Sequence, residues 1–236
     1  MRSAALSIAM ALPSVASLSQ GYPPQQPTAV DHVVLASTPE ILRKTQDALG
    51  SVKSYRVRME WLNGGKAEQV IEEVVCPDSK HIRFIENGRT ASDIYILKGI
   101  EYYKKKGGQY VPMPLPLTLP PTPKVVSGCP GGQEDWLGGE LPPSEAVKLL
   151  IRSGTTGRRA VSKGERKQLD GVSCEPWEIE GNPGDPLQQD ITLCINPDND
   201  LPMQMTVETT YGRSVATYSD WNSEKMVIKP FFTSSR

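Results

Sequence analysis

The chain has 236 residues, with 26 basic and 27 acidic side chains and a formal net charge of −1. That balance lacks the basic excess needed to neutralise a phosphate backbone, which argues against an electrostatic nucleic-acid binder. A hydrophobic share of 38% over this length is enough to bury a core, and suits one large β-type domain or two small ones.

Residues 1–19 read as a secretory signal: Arg2 is a minimal positive start, Ala4 to Leu12 form a short apolar run, and small residues follow Pro13. The run falls short of the ~20 residues that span a bilayer. No cysteine follows it, so a lipid-modified N-terminus is not indicated. Residues 20–37, rich in Gln and Pro at their start, read as a flexible mature N-terminus.

Thr38-Pro39-Glu40 then opens a helix, with Thr38 able to cap it and Pro39 suited to its first position. Ile41, Leu42, Thr45, Ala48 and Leu49 form its apolar stripe, and Gly50 ends it. The period next changes to two. Tyr55, Val57, Met59 and Trp61 share one face of a strand, and Arg56, Arg58 and Glu60 share the other.

A series of turn signals follows: Asn63-Gly64, Asn87-Gly88, Lys98-Gly99, Gly107-Gly108, Asp170-Gly171, Asp198-Asn199-Asp200 and Tyr211-Gly212. Such pairs tolerate the positive φ of tight hairpins, so the intervening segments predict an antiparallel meander. Strands are expected at 67–75, 80–86, 91–97, 100–104, 109–111, 157–167, 172–180, 189–196, 201–209 and 213–221. Within them Ile82 and Phe84 share an apolar face, and Leu201, Met203, Met205 and Val207 alternate. Residues 112–143 are too rich in Pro and Gly for a continuous element, yet carry Leu115, Leu117 and Leu119. We read this segment as a lid or loop packed over the sheet, because a soluble protein would otherwise expose the row of Leu side chains. Ser144 to Ser153 predicts a second helix capped by Ser144.

The chain carries little catalytic equipment. It has two histidines, His32 and His81, and no G-x-S-x-G, H-E-x-x-H or phosphate-cradling loop. His81 reads as an ordinary surface residue. Glu72 and Glu73 point to opposite faces of a strand and cannot flank one bond. No metal cluster, cofactor or enzymatic activity is expected; a hydrolase assembled from distant residues would need a buried carboxylate pair or a Ser near a His.

Cys76, Cys129, Cys174 and Cys194 contain no C-x-x-C and fit an oxidising compartment. Cys174 with Cys194 is the favoured disulfide, since the two flank one long hairpin; Cys76 with Cys129 is then the remainder, with reduced thiols as the alternative.

An antiparallel sheet with few helices needs something to cover its apolar face. A cavity that takes up an apolar molecule is one solution, and adaptable Met side chains suit it. Strand alternation nominates Tyr55, Val57, Met59, Trp61, Ile82, Phe84, Met203 and Met205 as lining, with Leu115, Leu117 and Leu119 as cover.

The C-terminal stretch Asp190-Ile191-Thr192-Leu193-Cys194-Ile195-Asn196-Pro197 runs through Asp198-Asn199-Asp200 to Leu201-Pro202-Met203. Tyr218-Ser219-Asp220-Trp221-Asn222 then leads to Val227-Ile228-Lys229-Pro230. With the early helix and Val52-Lys53-Ser54-Tyr55, these motifs resemble the LolA-like superfamily of periplasmic lipoprotein carriers, over residues 38–231. The resemblance implies a mainly β fold, a strongly curved antiparallel sheet (an incomplete β-barrel) closed by a helix and loop lid. It also implies a periplasmic or secreted carrier or receptor without cofactor, binding a lipid, acyl chain or lipoprotein, with peripheral membrane contact. The lid region 112–143 departs from the family in replacing well-formed helices with a Pro/Gly-rich segment. The alternative is an envelope-associated protein–protein interaction or stress-sensing module whose core is filled.

Overall fold

The computed structural model describes residues 38–63, 66–104, 108–113, 126, 128–130, 142–156, 161–181, 189–210 and 212–229. The expected signal (1–19), the N-terminal stretch (20–37) and most of the 112–143 lid, including Leu115, Leu117 and Leu119, lie outside them.

Among the described residues, α1 (Glu40–Gly50) comes first, followed by β1 (Ser54–Asn63), β2 (Lys66–Val75), β3 (Ser79–Glu86), β4 (Arg89–Leu97), β5 (Ile100–Lys104) and β6 (Tyr110–Pro112). After α2 (Pro143–Thr156) come β7 (Val161–Lys163), β8 (Lys167–Leu169), β9 (Val172–Ile179), β10 (Gln189–Ile195), β11 (Pro202–Thr209) and β12 (Gly212–Ser219). The sheet order is β6-β5-β4-β3-β2-β1-β12-β11-β10-β9-β7, with β8 also on β9. Every pairing is antiparallel. The fold is mainly β, an open antiparallel sheet with two helices, as the sequence predicts.

The hairpins form where the turn residues tolerate them. Asn87-Gly88, Lys98-Gly99 and Asp170-Gly171 take positive φ at both positions, and each joins directly paired strand ends. One long-range pairing, β1 with β12, joins the first meander to the last.

Three local expectations are corrected. Pro39, not Thr38, is the N-cap of α1, and no side chain caps it; the Pro39 carbonyl accepts from the Leu42 and Arg43 amides. Ser144 lies inside the first turn of α2, which starts at Pro143 because the Pro142 carbonyl accepts from Glu145 and Ala146. The strand expected over 157–167 is broken: β7 ends at Lys163, β8 starts at Lys167, and between them the Gly164 amide donates to Pro176 O at 2.9 Å.

The core joins the two helices to one face of the sheet. Leu42 and Leu49 of α1 and Ala146, Val147 and Leu150 of α2 share a cluster with Val57, Met59, Ile179, Ile191, Leu193 and Met205. We call this the inner face. α2 packs against β7, β9, β10 and α1. Disulfides join Cys76 to Cys129 and Cys174 to Cys194, an arrangement that fits an oxidising compartment.

Candidate functional site

The antiparallel registers line up inner-face side chains across the strands. Trp177 opposes Leu193, Leu193 opposes Met205, Met205 opposes Ala216, Ala216 opposes Met59, Met59 opposes Val70, and Val70 opposes Phe84. This apolar row crosses β9, β10, β11, β12, β1, β2 and β3 without interruption. At about 4.8 Å per strand, its six steps span roughly 29 Å. Lys163 opposes Trp177 at one end, and Ser92 opposes Phe84 at the other.

The neighbouring row is not wholly apolar. Tyr218, Val57, Glu72, Ile82, Ile94 and Tyr103 oppose one another in turn. Glu72 is buried among them, and Lys80 Nζ lies 2.6 Å from its Oε2, with side chains 9% and 8% exposed. Each charge in so dry a place requires the other. Tyr55 lies beside them, and burial, reinforced by the negative charge of Glu72, pushes its hydroxyl's pKa well up. Its ring stacks on Trp221 at 5.1 Å.

This end of the inner face is covered by part of the Pro/Gly-rich segment. Val126 and Cys129 are buried in the core cluster, the Val126 amide donates to Pro77 O at 2.8 Å, and Cys129 is bonded to Cys76 just past β2. Gly128, at φ +89°, lies against the Tyr55 hydroxyl: a Cβ there would stand 2.0 Å from the oxygen. Any side chain at 128 would collide with the tyrosine.

Of the residues nominated from the sequence, Met59, Phe84 and Met205 fall in the long apolar row. Val57 and Ile82 fall in the next, and Tyr55 and Trp61 flank these rows on β1. Met203 does not join them. Between Cys194 and Ile195 the β10–β11 register shifts, Cys194 opposing Gln204 and Ile195 opposing Pro202, so Met203 is the extra residue of a β-bulge. It is only half-buried and stands outside the core cluster. Sequence reading missed Val70, Leu193, Ala216 and Trp177 as members of the row; their register follows from the strand pairings. The Glu72–Lys80 pair carries no comparable signal.

The opposite face carries a linked polar network over the first half of the sheet. Arg56 contacts Asp220 at 2.5 Å and donates from Nε and Nη2 to Glu73 Oε1 at 3.2 and 2.9 Å. Glu73 Oε2 lies 3.0 Å from His81 Nδ1, and His81 Nε2 lies 2.6 Å from Asp93 Oδ1. The Tyr110 hydroxyl donates to Asp93 Oδ2 at 2.6 Å. His81 stacks on Tyr95 at 4.1 Å, and Tyr110 meets Tyr95 edge-on at 4.8 Å. His81 is therefore no ordinary surface residue; the ring on one side and a carboxylate at each nitrogen leave its side chain 12% exposed. Burial pushes the Glu73 carboxyl's pKa up, but the hydrogen bonds from His81 and Arg56 and the charges of Arg83 and Arg56 outweigh it and hold it below the usual value. Among the described residues, no group of three or more His, Cys, Asp or Glu is arranged to hold a metal ion.

No protein-family profile and no curated protein sequence matches the chain. Among solved structures, the lipoprotein LppX of Mycobacterium tuberculosis superposes with a TM-score of 0.53 at 13% identity, over 82% of this chain and 100% of that one. LprF of Mycobacterium bovis superposes with a TM-score of 0.50 at 15% identity, over 80% and 95%. A LolA superfamily protein of Nitrosomonas europaea covers 84% of this chain and 97% of its own at 12% identity, with a TM-score of 0.31, too low to add weight. At these identities the likeness concerns the fold alone: the chain shares the fold of LppX and LprF.

Proposed function

We propose that the chain is a non-catalytic carrier or receptor that holds a lipid or lipoprotein acyl chain against its inner face. The observation that carries this reading is the apolar row from Trp177 to Phe84, unbroken over seven adjacent strands. Its length approaches the ~30 Å hydrocarbon thickness of a bilayer, in which two acyl chains meet end to end, so one extended chain fits along it. Burial of such a chain contributes about 25 cal/mol per Å² of apolar surface. Met59, Phe84 and Met205 line the row, Val57, Ile82, Tyr55 and Trp61 extend it, and the segment 112–143 serves as lid beside α2.

The fold of LppX, a lipoprotein, supports an envelope role. The two disulfides support a periplasmic or secreted location, reached through the signal at residues 1–19. Gentle purification, organic extraction and mass spectrometry test the proposal. A co-purifying lipid near one per protein is expected; a clean protein that also ignores added fatty-acid probes would shift the reading to an envelope interaction module with a filled core.

A further inference from the structure

The apolar row ends at an unmet hydrogen bond. Among the described residues, the buried side-chain polar atoms without a hydrogen-bond partner are Arg83 Nε and Trp177 Nε1. Arg83 belongs to the outer face, where its guanidinium also lies 3.7 Å from Glu73. Trp177 is the inner-face case, 5% exposed, within the core cluster and at the terminus of the row. Leaving such a donor unsatisfied costs about 1–3 kcal/mol, so native interiors seldom retain one without a purpose.

The surroundings change character at this residue. Toward the centre of the sheet the next partners are Leu193 and Met205, both buried and apolar. Toward the edge, Lys163 Nζ lies 5.9 Å from the Trp177 ring centroid. The same Lys163 meets the buried Glu175 carboxylate at 2.7 Å, and Arg166 meets it at 3.6 Å. One carboxylate thus faces two cations where β7 gives way to β8. Both are largely solvated, with side chains 49% and 66% exposed. The indole N–H is therefore a donor at the boundary between a long apolar stripe and a wet, charged rim. A ligand that is hydrocarbon for most of its length and carries one acceptor at its end matches that sequence of environments.

Resting on the carrier reading above, we propose that Trp177 Nε1 donates a hydrogen bond to the carbonyl oxygen of an ester- or amide-linked acyl chain. The chain would run along the row toward Met59, and the head group would leave past Lys163. The site then selects acyl lipids over hydrocarbons and ethers of the same length, because an acceptor poorer than a carbonyl leaves the donor weakly paired. α2 packs against β7, β9 and β10 and so covers this end of the row.

The test compares 1-palmitoylglycerol with 1-O-hexadecylglycerol, which differ at the carbonyl, as competitors of a bound fluorescent apolar probe. A net hydrogen bond of about 0.5–1.5 kcal/mol predicts that the wild-type chain prefers the ester by about 2- to 12-fold. Trp177→Phe keeps an aromatic side chain and removes the donor, and is expected to abolish that preference, the two lipids being compared within the variant. A second readout on the wild-type chain does not depend on the variant's folding: one indole 15N–1H resonance moves downfield with the ester and stays with the ether. Equal affinities in the wild type, or an ester preference that survives Trp177→Phe with a stationary indole resonance, would overturn the assignment while leaving the carrier reading in place. Failure of both competitors and of the apolar probe to bind would defeat the carrier reading itself, and the assignment with it.

Discussion

The two faces of one sheet solve opposite problems with alternate residues of the same strands. On β2, Val70, Glu72 and Val74 look inward, while Ile71 and Glu73 look outward. The inner face is held by shape and apolar contact, with the buried Glu72–Lys80 pair as its central exception and Glu175 with Lys163 at its edge. The outer face is held by hydrogen bonds that run from Asp220 through Arg56, Glu73, His81 and Asp93 to Tyr110, across the first half of the sheet. Such a network ties strands together, although Arg83 Nε on this face is buried without a hydrogen-bond partner. The inner face, with apolar side chains in register and the unpaired indole of Trp177 at its end, is the one to which the proposed ligand is assigned.

The central exception on the inner face offers the sharpest way to break this contrast. Lys80→Met leaves the Glu72 carboxylate buried without its partner, and an unfolding midpoint in urea is expected to report a loss of about 3–5 kcal/mol. Adding Glu72→Leu is expected to restore most of it, since an apolar pair suits that face. If the double variant stays as unstable as the single one, the ion pair has a role that apolar packing cannot replace.

The outer face predicts smaller changes of a different kind. His81→Ala removes the bonds to Glu73 and Asp93 and is expected to cost about 1.5–3 kcal/mol, with no effect on apolar-probe affinity. The Glu73 carboxyl is held below its usual pKa, so its stabilisation is present above the ordinary carboxylate range and is lost as the pH falls through the lowered folded value. Urea titrations across pH 3 to 6 should therefore show a shallower acid limb in Glu73→Gln. A weakened probe affinity in either variant would mean that the two faces are coupled, not separate.

Much of this division was legible in the sequence. The alternation in Tyr55 to Trp61 assigned β1 its faces, and the Asn-Gly, Lys-Gly and Asp-Gly pairs located the hairpins, because few residues accept positive φ. Met203 was misplaced because a bulge shifts the side-chain period by one residue, and nothing in Leu201 to Val207 marks where the extra residue falls. Glu72 and Lys80 stayed hidden for a different reason. Period-two alternation puts Glu72 inward between Val70 and Val74, yet a single strand cannot show the neutralising lysine on the next. The outer network was missed because His81 gathers its partners from β2 and β4 only once the registers are fixed.

The most direct test of the central claim is photo-crosslinking with a fatty acid carrying a diazirine on its chain, followed by peptide mapping of the labelled protein. Labels are expected on inner-face residues of the row, such as Met59, Met205 and Phe84, and none on Arg56, His81 or Tyr95. Labels confined to the outer face, or spread evenly over both, would contradict it.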